Sequence, residues 1–245
     1  MKRVIIIGAT SGIGWALASL YAADGWTVGI TGRRTERLEE LRTKSGGIVH
    51  ATFMDVSDTG SARKTFLELV SEIGGIDLVI ISSGTGYLDD SLPWQKELET
   101  IKTNVEGFAA IAHAAFEIFR QQGCGHLAGI SSIASVRGGP VPAYNASKAF
   151  VSSYLQGFRS IAARDNLPVY VTDILPGFVD TAMAKGDGLF WVASPERAAI
   201  YIFRAIEKKK RRVWVTRRWR FVALLLQFMP EKLYHSLICG KRENA

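Results

Sequence analysis

The first 25 residues constrain the fold more than any other part of the chain. Residues 4–7 are an uninterrupted run of Val and Ile, as expected for a strand buried on both faces of a parallel sheet. The run leads into three glycines spaced G-x-x-x-G-x-G, at positions 8, 12 and 14. A helical pattern follows and ends at Asp24-Gly25. A strand, a glycine-rich turn and a helix in this order predict the first unit of an α/β fold.

Glycines between a strand and a helix are typical of a site for a pyrophosphate. They permit a tight turn and a close approach of the backbone, and they expose N–H groups at the helix N-terminus. The spacing differs from the usual dinucleotide fingerprint, G-x-G-x-x-G, and a lone glycine loop can also be a simple turn. We nevertheless predict a dinucleotide site here. Its candidate cofactor contacts are Gly8, Thr10, Ser11, Gly12, Ile13 and Gly14.

The end of the second predicted strand, residues 26–31, bears on the choice of dinucleotide. In a dinucleotide fold this strand end faces the adenosine ribose, where an acidic residue would bind the 2′-hydroxyl. The chain has Gly32 and then two arginines, Arg33 and Arg34. Arginine matches a phosphate with forked, charge-assisted hydrogen bonds, although a solvated charge pair beside a helix would give the same sequence. The pattern favours NADP, with NAD as the alternative.

Strand and helix patterns alternate through most of the remaining sequence. Apolar runs predict strands at residues 48–53, 76–81, 128–131, 169–175 and 213–215. Helical patterns cover residues 61–73, 94–121 and 141–164. This alternation predicts a Rossmann-like, doubly wound parallel sheet with helices on both faces, in a single α/β domain. We assign residues 1–215 to dinucleotide binding and catalysis, and residues 216–245 to a basic and apolar helical extension.

A second chemically distinctive stretch lies between Ser132 and Lys148. Tyr144 and Lys148 are spaced i,i+4, so a helix would place them on one face, one turn apart. An ammonium beside a phenol favours the phenolate and lowers the phenol pKa from its ordinary value of about 10. A hydroxyl from Ser132 could hold a carbonyl or alcohol oxygen near the same phenol. The stretch therefore predicts a proton-transfer site for carbonyl–alcohol interconversion, although an exposed polar pair on a helix would show the same spacing.

Together these motifs resemble the short-chain dehydrogenase/reductase family, and its NADP-dependent members in particular, over roughly residues 1–215. The resemblance implies a catalytic tetrad of Asn104, Ser132, Tyr144 and Lys148. It also implies that Asp55 contacts the adenine. The other cofactor contacts that it implies are Val56, Ser82, Ser83, Gly84, Tyr144 and Lys148 and, at the nicotinamide, Pro176, Gly177, Val179 and Thr181.

The resemblance further implies hydride transfer between NADP(H) and a small-molecule carbonyl or secondary alcohol, in a homodimer or homotetramer. Tyr144 would be the general acid/base, and Ser132 would hold the substrate oxygen. Lys148 would lower the tyrosine pKa and bind the nicotinamide ribose, while Asn104 would bend its helix and hold a water that leads protons to Lys148. Two alternatives stay open, a nucleotide-binding redox sensor without turnover and a membrane-surface scaffold.

The sequence departs from the family pattern in the glycine loop and after the fourth predicted strand. Ile7 replaces the threonine that usually precedes the first glycine, and Ser11 occupies the position where some NADPH-dependent members carry a basic residue. The segment Ile81-Ser82-Ser83-Gly84 replaces the Asn-Asn-Ala-Gly motif of the family. Ser82 must therefore replace the hydrogen bonds of the asparagine or leave them to water, and Arg33 must carry the preference for a phosphate, joined by Arg34.

The identity of the catalytic serine is also left open by the sequence. The interval from Ser132 to Tyr144 is one residue shorter than is common in the family. The common interval, counted back from Tyr144, leads to Ser131 instead. The local I-S-S pattern instead favours its second serine, Ser132. The loop at Gly138-Gly139-Pro140 could absorb a deletion, since loops tolerate changes of length.

The substrate is only weakly indicated by the loop at residues 182–192. Met183, Leu189, Phe190 and Trp191 suggest an apolar ligand, but a lid that packs on its own core would have the same composition. Two cysteines and the absence of a Cys/His cluster at metal spacing predict neither a disulfide scaffold nor a metal site. The apolar run at the N-terminus is too short for a signal peptide. With only two cysteines, a reducing cytoplasm is the expected location.

Positive charge is concentrated late in the chain. The net charge is +7, and the stretch from Arg204 to Arg220 alone contributes nine Lys/Arg less one Glu, or +8, leaving −1 for the rest. Such a local excess does not indicate a general nucleic-acid binder. The apolar run at 221–229 is too short to span a bilayer. Residues 208–229 could rest on an anionic membrane surface, or the helix could pack on the domain or at a subunit interface.

Overall fold

A parallel sheet dominates residues 2–87, 91–181 and 190–239, which the computed structural model describes. Its order is β3-β2-β1-β4-β5-β6-β7, and each neighbouring pair is parallel. The strands are Arg3–Ile7 (β1), Thr27–Gly32 (β2), Val49–Phe53 (β3), Leu78–Ile81 (β4), Gly125–Ile130 (β5), Val169–Pro176 (β6) and Arg212–Val215 (β7). The chain order reverses between β1 and β4, and ligands of such sheets bind at the crevice beyond those strand ends.

Helices cover both faces of the sheet. They are Gly12–Ala23 (α1), Thr35–Lys44 (α2), Thr59–Glu72 (α3), Trp94–Ile101 (α4), Phe108–Gln122 (α5), Pro142–Arg164 (α6), Pro195–Glu207 (α7), Trp219–Phe228 (α8) and Glu231–Cys239 (α9). One apolar cluster packs α1, α2 and α7 against the sheet, and a second packs α3, α5 and α6 against the opposite face. The predicted doubly wound parallel sheet is therefore confirmed.

The apolar run that predicted β1 is buried on both faces. Val4 and Ile6 belong to the cluster with α1 and α7, whereas Ile5 and Ile7 belong to the cluster with α3, α5 and α6. All four side chains are fully buried. Each contributes about 1.5–3 kcal/mol of burial free energy before chain entropy is subtracted. The strand is thus central to both cores, and the glycine loop that follows it starts from a rigid support.

β5 begins three residues before the strand that the sequence predicts there. The difference arises at Gly125 and His126, which interrupt the apolar pattern. His126 is buried, and its Nε2 lies 2.8 Å from Oγ1 of Thr172 on β6. Burial lowers the pKa of His126 to about 4, so the ring is neutral near pH 7 and can occupy a core position.

The long helix predicted for residues 94–121 is helical throughout but changes type in the middle. α4 ends at Ile101, a π-helix spans Lys102–Gly107, and α5 begins at Phe108. π-Helical segments are rare in proteins, and those that do occur are often found at functional sites. Asn104 lies within this segment, so its side chain leaves the helix in a register that a regular α-helix would not give.

α8 and α9 follow β7 and pack on the loop that precedes α6. Arg137 of that loop donates hydrogen bonds to the main-chain oxygens of Leu226, at 2.7 Å, and of Met229, and its guanidinium lies 4.2 Å from the ring centroid of Tyr234. Tyr234 Oη donates to the oxygen of Gly138 at 2.6 Å. Within the described residues, the helices are all too short or too polar to cross a bilayer. The division at residue 215 stays a prediction.

Candidate active site

The four residues of the predicted tetrad lie around the ends of β4 and β5. Lys148 Nζ donates to the main-chain oxygen of Ile130, the last residue of β5, at 3.0 Å. A methyl group built on Gly84, just beyond β4, would lie 3.2 Å from that Nζ and 3.3 Å from Oδ1 of Asn104. Residues from two strand ends, the π-helix and α6 therefore converge on one point.

Tyr144 is held as a neutral phenol. Burial raises its pKa, and a hydrogen bond with the Ser132 side chain acts in the opposite direction with a smaller effect. Its ring packs against Gly86, where a Cβ atom would lie only 2.5 Å from Cδ2 of the tyrosine. The sequence suggests that the Lys148 ammonium favours the phenolate, but Nζ lies 5.7 Å from the ring centroid and is bonded to a carbonyl. In this geometry burial outweighs the ammonium, and Tyr144 carries a proton that it can donate.

Lys148 is buried close to an equally buried carboxylate. Burial lowers the pKa of Lys148 to about 8, while the charge of Asp173 raises it and so limits the shift. Asp173 lies within β6 and is 0% exposed. Its Oδ2 lies 3.4 Å from Nε of Arg212 and accepts no hydrogen bond among the described residues. The lysine is therefore mainly protonated at neutral pH and loses its charge only slightly above it.

The two adjacent serines contact different groups. Ser131 Oγ, which has one proton to donate, lies 2.5 Å from Oδ1 of Asp173 and 3.0 Å from the oxygen of Ile174, so its hydroxyl points toward β6. Ser132 Oγ bonds with Tyr144 and accepts from the N–H of Ala134 at 3.1 Å. This arrangement favours Ser132 as the serine that shares a substrate oxygen with Tyr144.

Asn104 ties the segment after β4 to α6. Its Oδ1 accepts from the N–H of Thr85 at 2.8 Å, and its Nδ2 donates to the oxygen of Thr85 at 2.7 Å. Nδ2 also donates to Oγ of Ser147 at 3.0 Å, and Ser147 Oγ in turn donates to the main-chain oxygen of Tyr144 at 2.8 Å. Both amide protons of Asn104 are thus used by protein acceptors, and the side chain fixes Gly84 and Thr85 relative to Tyr144. Its link to a water molecule stays a prediction.

The glycine loop lies against the segment that follows β4. Gly8 has φ +85°, and a Cβ atom there would lie 2.6 Å from Cα of Ser83, so only glycine fits. A Cβ atom on Gly14 would lie 2.2 Å from the oxygen of Gly8 and 3.1 Å from Oγ of Ser82. The N-terminus of α1 is at Gly12, where a Cβ atom would lie 2.9 Å from Cγ2 of Thr181. Loops from three strand ends therefore meet around the start of α1.

This cradle fits a dinucleotide. Ser83 Oγ is buried and has no hydrogen-bond partner among the described residues, which leaves a polar atom beside Gly8 for a ligand. The helix N-terminus offers N–H groups to phosphates. The side chains of two predicted contacts pack on the cores, Ile13 on the cluster beneath α1 and Val56 in the cluster on the opposite face of the sheet, and their contact with the cofactor stays a prediction.

Arg34 contacts the glycine loop, whereas Arg33 extends into solvent. Arg34 donates from Nε and Nη2 to Oγ1 of Thr10, at 3.1 and 2.8 Å, and from Nη2 to Oγ of Ser11 at 2.6 Å. Arg33 forms no ion pair within the part of the chain that the structure describes. Asp55, predicted to contact the adenine, accepts at Oδ1 from the N–H and Oγ of Ser57, at 2.9 and 2.7 Å. Arg34, rather than Arg33, is thus already held beside the loop.

The segment after β6 folds back on itself. Pro176 pairs with Val215 in the sheet, and Val179 forms a parallel bridge with Ala193. The N–H of Asp180 donates to the oxygen of Ala193 at 2.9 Å. Val179 and Thr181 are thereby held at the base of the substrate loop. The predicted apolar contacts Met183 and Leu189 lie outside the described residues.

Trp219, the first residue of α8, packs on both ends of this loop. Its ring centroid lies 5.1 Å from that of Phe190, 5.3 Å from that of Phe178 and 6.1 Å from that of Trp191. A Cβ atom on Gly177 would lie 2.0 Å from the indole, so glycine is required there for the contact. Phe190 and Trp191 therefore pack on α8, as expected for a lid with a core of its own.

Several residues of the site are not singled out by the sequence motifs. Ser147 directly precedes Lys148 but belongs to no motif, and Gly86 lies outside every glycine motif. Glu97 on α4 accepts from the N–H of Ala143 at 3.1 Å, near the start of α6. Only Asp173 gives a signal in the sequence, because a lone acid within an apolar strand must find a partner when it is buried.

Comparisons with known proteins agree with this geometry. A family model described as short chain dehydrogenase matches residues 2–188. An uncharacterized oxidoreductase of Mycobacterium tuberculosis is 33% identical over 244 residues, which cover 95% of each chain. A serine 3-dehydrogenase of Agrobacterium fabrum is 32% identical over 188 residues, or 73% of this chain and 72% of that protein.

The fold is also found in solved structures. A short-chain dehydrogenase from Sphingobium yanoikuyae, solved in complex with NADPH, aligns with a TM-score of 0.78 at 22% identity. The alignment covers 100% of this chain and 98% of that one, including α8 and α9. At this identity the likeness shows the shared fold.

Proposed function

Since the chain belongs to the short-chain dehydrogenase family, we propose that it uses NADP(H) to interconvert a carbonyl and a secondary alcohol, with Tyr144 as the general acid/base. The observation that carries this proposal is the convergence of the Tyr144 phenol, which packs against Gly86, with the buried Ser132 and Lys148 at the ends of β4 and β5. Lys148 lies one helical turn further along α6. A proton donor and an oxygen-binding hydroxyl side by side are the groups that reduction of a carbonyl requires.

Each of these residues has a distinct role in the reduction of a carbonyl. NADPH, when bound, supplies the hydride for the carbonyl carbon. Ser132 donates a hydrogen bond to the carbonyl oxygen, which becomes more basic as negative charge develops on it. Tyr144 then donates its phenolic proton to that oxygen, and the alcohol leaves with the proton. For oxidation, the same groups act in reverse.

Lys148 and Asn104 support the proton donor. A protonated Lys148 stabilises the phenolate that Tyr144 becomes after the transfer, and its Nζ is available to a ribose hydroxyl at the Gly84 side of the site. Asn104 holds Thr85 and, through Ser147, the main chain at Tyr144. The main chain at Tyr144 is therefore tied to the segment after β4 through Ser147 and Asn104.

Arg34 supports the choice of NADP(H). Its guanidinium and the hydroxyls of Thr10 and Ser11 form a cluster of donors beside the glycine loop, with Arg33 next to it and no acidic residue at this strand end. Such a cluster matches a 2′-phosphate, whereas NAD would leave it without an anion. The Sphingobium neighbour holds NADPH, which is consistent with this choice.

Phe190 and Trp191 pack on Trp219 but stay about half exposed, and this remaining apolar surface would suit a substrate with an apolar part. Phe178, Phe190 and Trp191 surround the base of the loop next to Val179 and Thr181. The two other functions considered for the sequence, a redox sensor without turnover and a membrane-surface scaffold, are not favoured. Neither a sensor nor a scaffold needs the Ser132–Tyr144–Lys148 arrangement, and the relatives are named oxidoreductases and dehydrogenases.

The proposal predicts oxidation of NADPH by a carbonyl compound. A screen should pair NADPH and NADH with carbonyl compounds of graded size, and NADP with serine, and follow absorbance of the reduced cofactor. We expect turnover with at least one carbonyl compound and a clear preference for NADPH over NADH. Equal affinity for the two cofactors would contradict the assignment of the 2′-phosphate site, and no turnover across the whole screen would contradict the enzymatic proposal.

Arginine variants test the basis of that preference. Arg34→Ala and Arg33→Ala should each weaken NADPH binding, by about 1.5–3 kcal/mol for a lost charge-assisted hydrogen bond, and leave NADH binding nearly unchanged. Arg34→Ala should have the larger effect because its guanidinium already bonds with Thr10 and Ser11. Arg42→Ala on α2 is the matched control, since that arginine pairs with Glu39 and should leave both affinities unchanged.

Asp173 should set the pH range over which the enzyme works. The charge of Asp173 raises the pKa of Lys148 against the lowering by burial, which leaves it at about 8. The ammonium is therefore present below that pH and is lost as the pH rises through it, and reduction should decline over the same range. Asp173→Asn removes the charge, so the decline should move to lower pH.

The measurement is kcat/KM for NADPH oxidation as a function of pH. Ser131→Ala serves as the control, because it removes a hydrogen bond to Asp173 and keeps the carboxylate. Its pH profile should match that of the unmodified protein. An unchanged profile for Asp173→Asn would show that this carboxylate does not act on Lys148. Arg212, Arg159 and Tyr144 also lie near the pair, and all three remain in both variants.

A further inference from the structure

α8 is apolar on two opposite faces, of which only one is covered. Trp219 is 3% exposed, and Ala223 is likewise buried against the domain. On the opposite side, Phe221 is 74% exposed and Phe228 is 77% exposed, with Leu224 and Leu225 exposed between them. The spacing i, i+3, i+4, i+7 places these four side chains on one helical stripe, which we term the outer face of α8.

Further exposed apolar side chains lie in the elements that flank the helix. Leu233 and Leu237 on α9 are exposed, and Phe190, Trp191 and Val192 are about half exposed. Phe190 and Trp191 are joined to α8 through their ring contacts with Trp219. Scattered exposed apolar residues are ordinary, but a group of this kind on neighbouring elements marks an interaction site.

The charges at the start of α8 show what kind of partner this surface fits. Arg217, Arg218 and Arg220 are exposed and form no ion pair among the described residues. They lie at the N-terminus of the helix, where the macrodipole disfavours positive charge. Between positions 208 and 230 the sequence has no acidic residue and eight Lys/Arg, which are Lys208, Lys209, Lys210, Arg211, Arg212, Arg217, Arg218 and Arg220. A partner rich in negative charge would complement this concentration.

We propose that the outer face of α8 docks on the surface of an anionic phospholipid bilayer. Phe221, Leu224, Leu225 and Phe228 enter the boundary between headgroups and acyl chains, and the arginines bind lipid phosphates. A ten-residue helix is about 15 Å long, which suits a helix lying in the interface rather than crossing the bilayer. Guanidinium groups match phosphates with forked, charge-assisted hydrogen bonds.

A second copy of the chain fits this surface less well. A two-fold contact uses the same patch on both subunits. It would bring two sets of arginines, Arg217, Arg218 and Arg220 of each copy, to one contact, where Glu231 at the start of α9 is the one acidic residue between positions 208 and 239 of each copy. A bilayer offers an apolar interior and an excess of negative charge at once.

Co-sedimentation with vesicles tests the proposal, with the whole chain and without any substrate. Vesicles of phosphatidylcholine are compared with vesicles that contain equal amounts of phosphatidylcholine and phosphatidylglycerol. We expect binding to the anionic vesicles at low salt and little binding to phosphatidylcholine alone. Binding should weaken as the Debye length falls from about 30 Å at 0.01 M salt to about 8 Å at 0.15 M.

Two sets of variants separate the apolar and the charged contributions. Phe221→Ser with Phe228→Ser should lower the bound fraction by about tenfold or more, whereas Phe53→Ser with Leu67→Ser, which alters exposed apolar residues on other elements, should not. Replacing Arg217, Arg218 and Arg220 by Gln should remove most binding and most of its salt dependence. The charge-matched control replaces Arg42, Lys44 and Lys64 by Gln and should retain both.

The outcomes that overturn the proposal are equally definite. They are the absence of binding to anionic vesicles at low salt, equal binding to the two kinds of vesicle, and binding that survives the Phe221→Ser and Phe228→Ser changes. Light scattering after size-exclusion chromatography measures the size of the protein assembly independently. If those changes convert a larger assembly into a smaller one and neither form binds vesicles, the outer face of α8 is a contact between copies of the chain.

Discussion

Tyr144→Phe should lower turnover by about 10²–10⁴-fold while leaving NADPH affinity nearly unchanged. The phenyl ring keeps the contact with Gly86, so the packing at the site is preserved. What is lost is the phenolic proton, which burial keeps on the oxygen at neutral pH, together with the hydrogen bond to Ser132. Single-turnover absorbance measurements give the rate of the chemical step. Quenching of protein fluorescence, or energy transfer to the bound NADPH, gives the affinity for NADPH.

Lys148→Met is the informative contrast to the tyrosine variant. It retains a long side chain in the buried space but removes the ammonium near Gly84 and Ile130. Turnover and NADPH affinity should both fall, because the ammonium serves the phenol and the cofactor ribose. Turnover by Tyr144→Phe close to that of the unmodified protein would mean that another group supplies the proton.

Ser132→Ala should lower turnover by about 10²–10³-fold, the loss typical of removing one donor to a developing oxyanion. Its neighbour provides the control within the same turn of chain. Ser131 is directed to Asp173 and Ile174 on β6, so Ser131→Ala should keep turnover within a few-fold of the unmodified protein. The two variants remove the same hydroxyl from adjacent residues, and the ratio of their rates reports which one contacts substrate.

A reversed order, with Ser131→Ala the slower enzyme, would contradict the assignment of Ser132. Thermal unfolding of both variants should accompany the kinetics. Ser131→Ala leaves the buried carboxylate of Asp173 without its hydrogen bond, and it should be the less stable of the two. Loss of stability and loss of turnover would then appear in different variants.

The fold could be predicted because its strands carry their own signal. Residues 4–7 and 78–81 are buried on both faces, and such strands must be apolar throughout. The glycine loop was equally clear, because a Cβ atom on Gly8 or Gly14 would collide with backbone. The sequence predicts too short a β5 because a neutral, buried His126 cannot be recognised from its neighbours in sequence.

The arrangement around the tetrad could not be predicted, because it depends on how distant elements pair. Ser131 meets Asp173 through the pairing of β5 with β6, and a shift of one residue in that pairing would turn the other serine toward it. Arg33 and Arg34 are likewise equivalent in sequence. Only the path of the chain between β2 and α2 directs Arg34 to Thr10 and Ser11.

Trp219 belongs at once to α8 and to the surroundings of the cofactor site. Its indole fills the space that a side chain at Gly177 would need, two residues before Val179. Two ligands that act on one contact are thermodynamically coupled, and the coupling is reciprocal. If a bilayer bound at α8 shifts Trp219, the factor by which vesicles change the affinity for NADPH must equal the factor by which NADPH changes the affinity for vesicles. The fraction of protein on a membrane would then report cofactor occupancy, before any substrate has been identified.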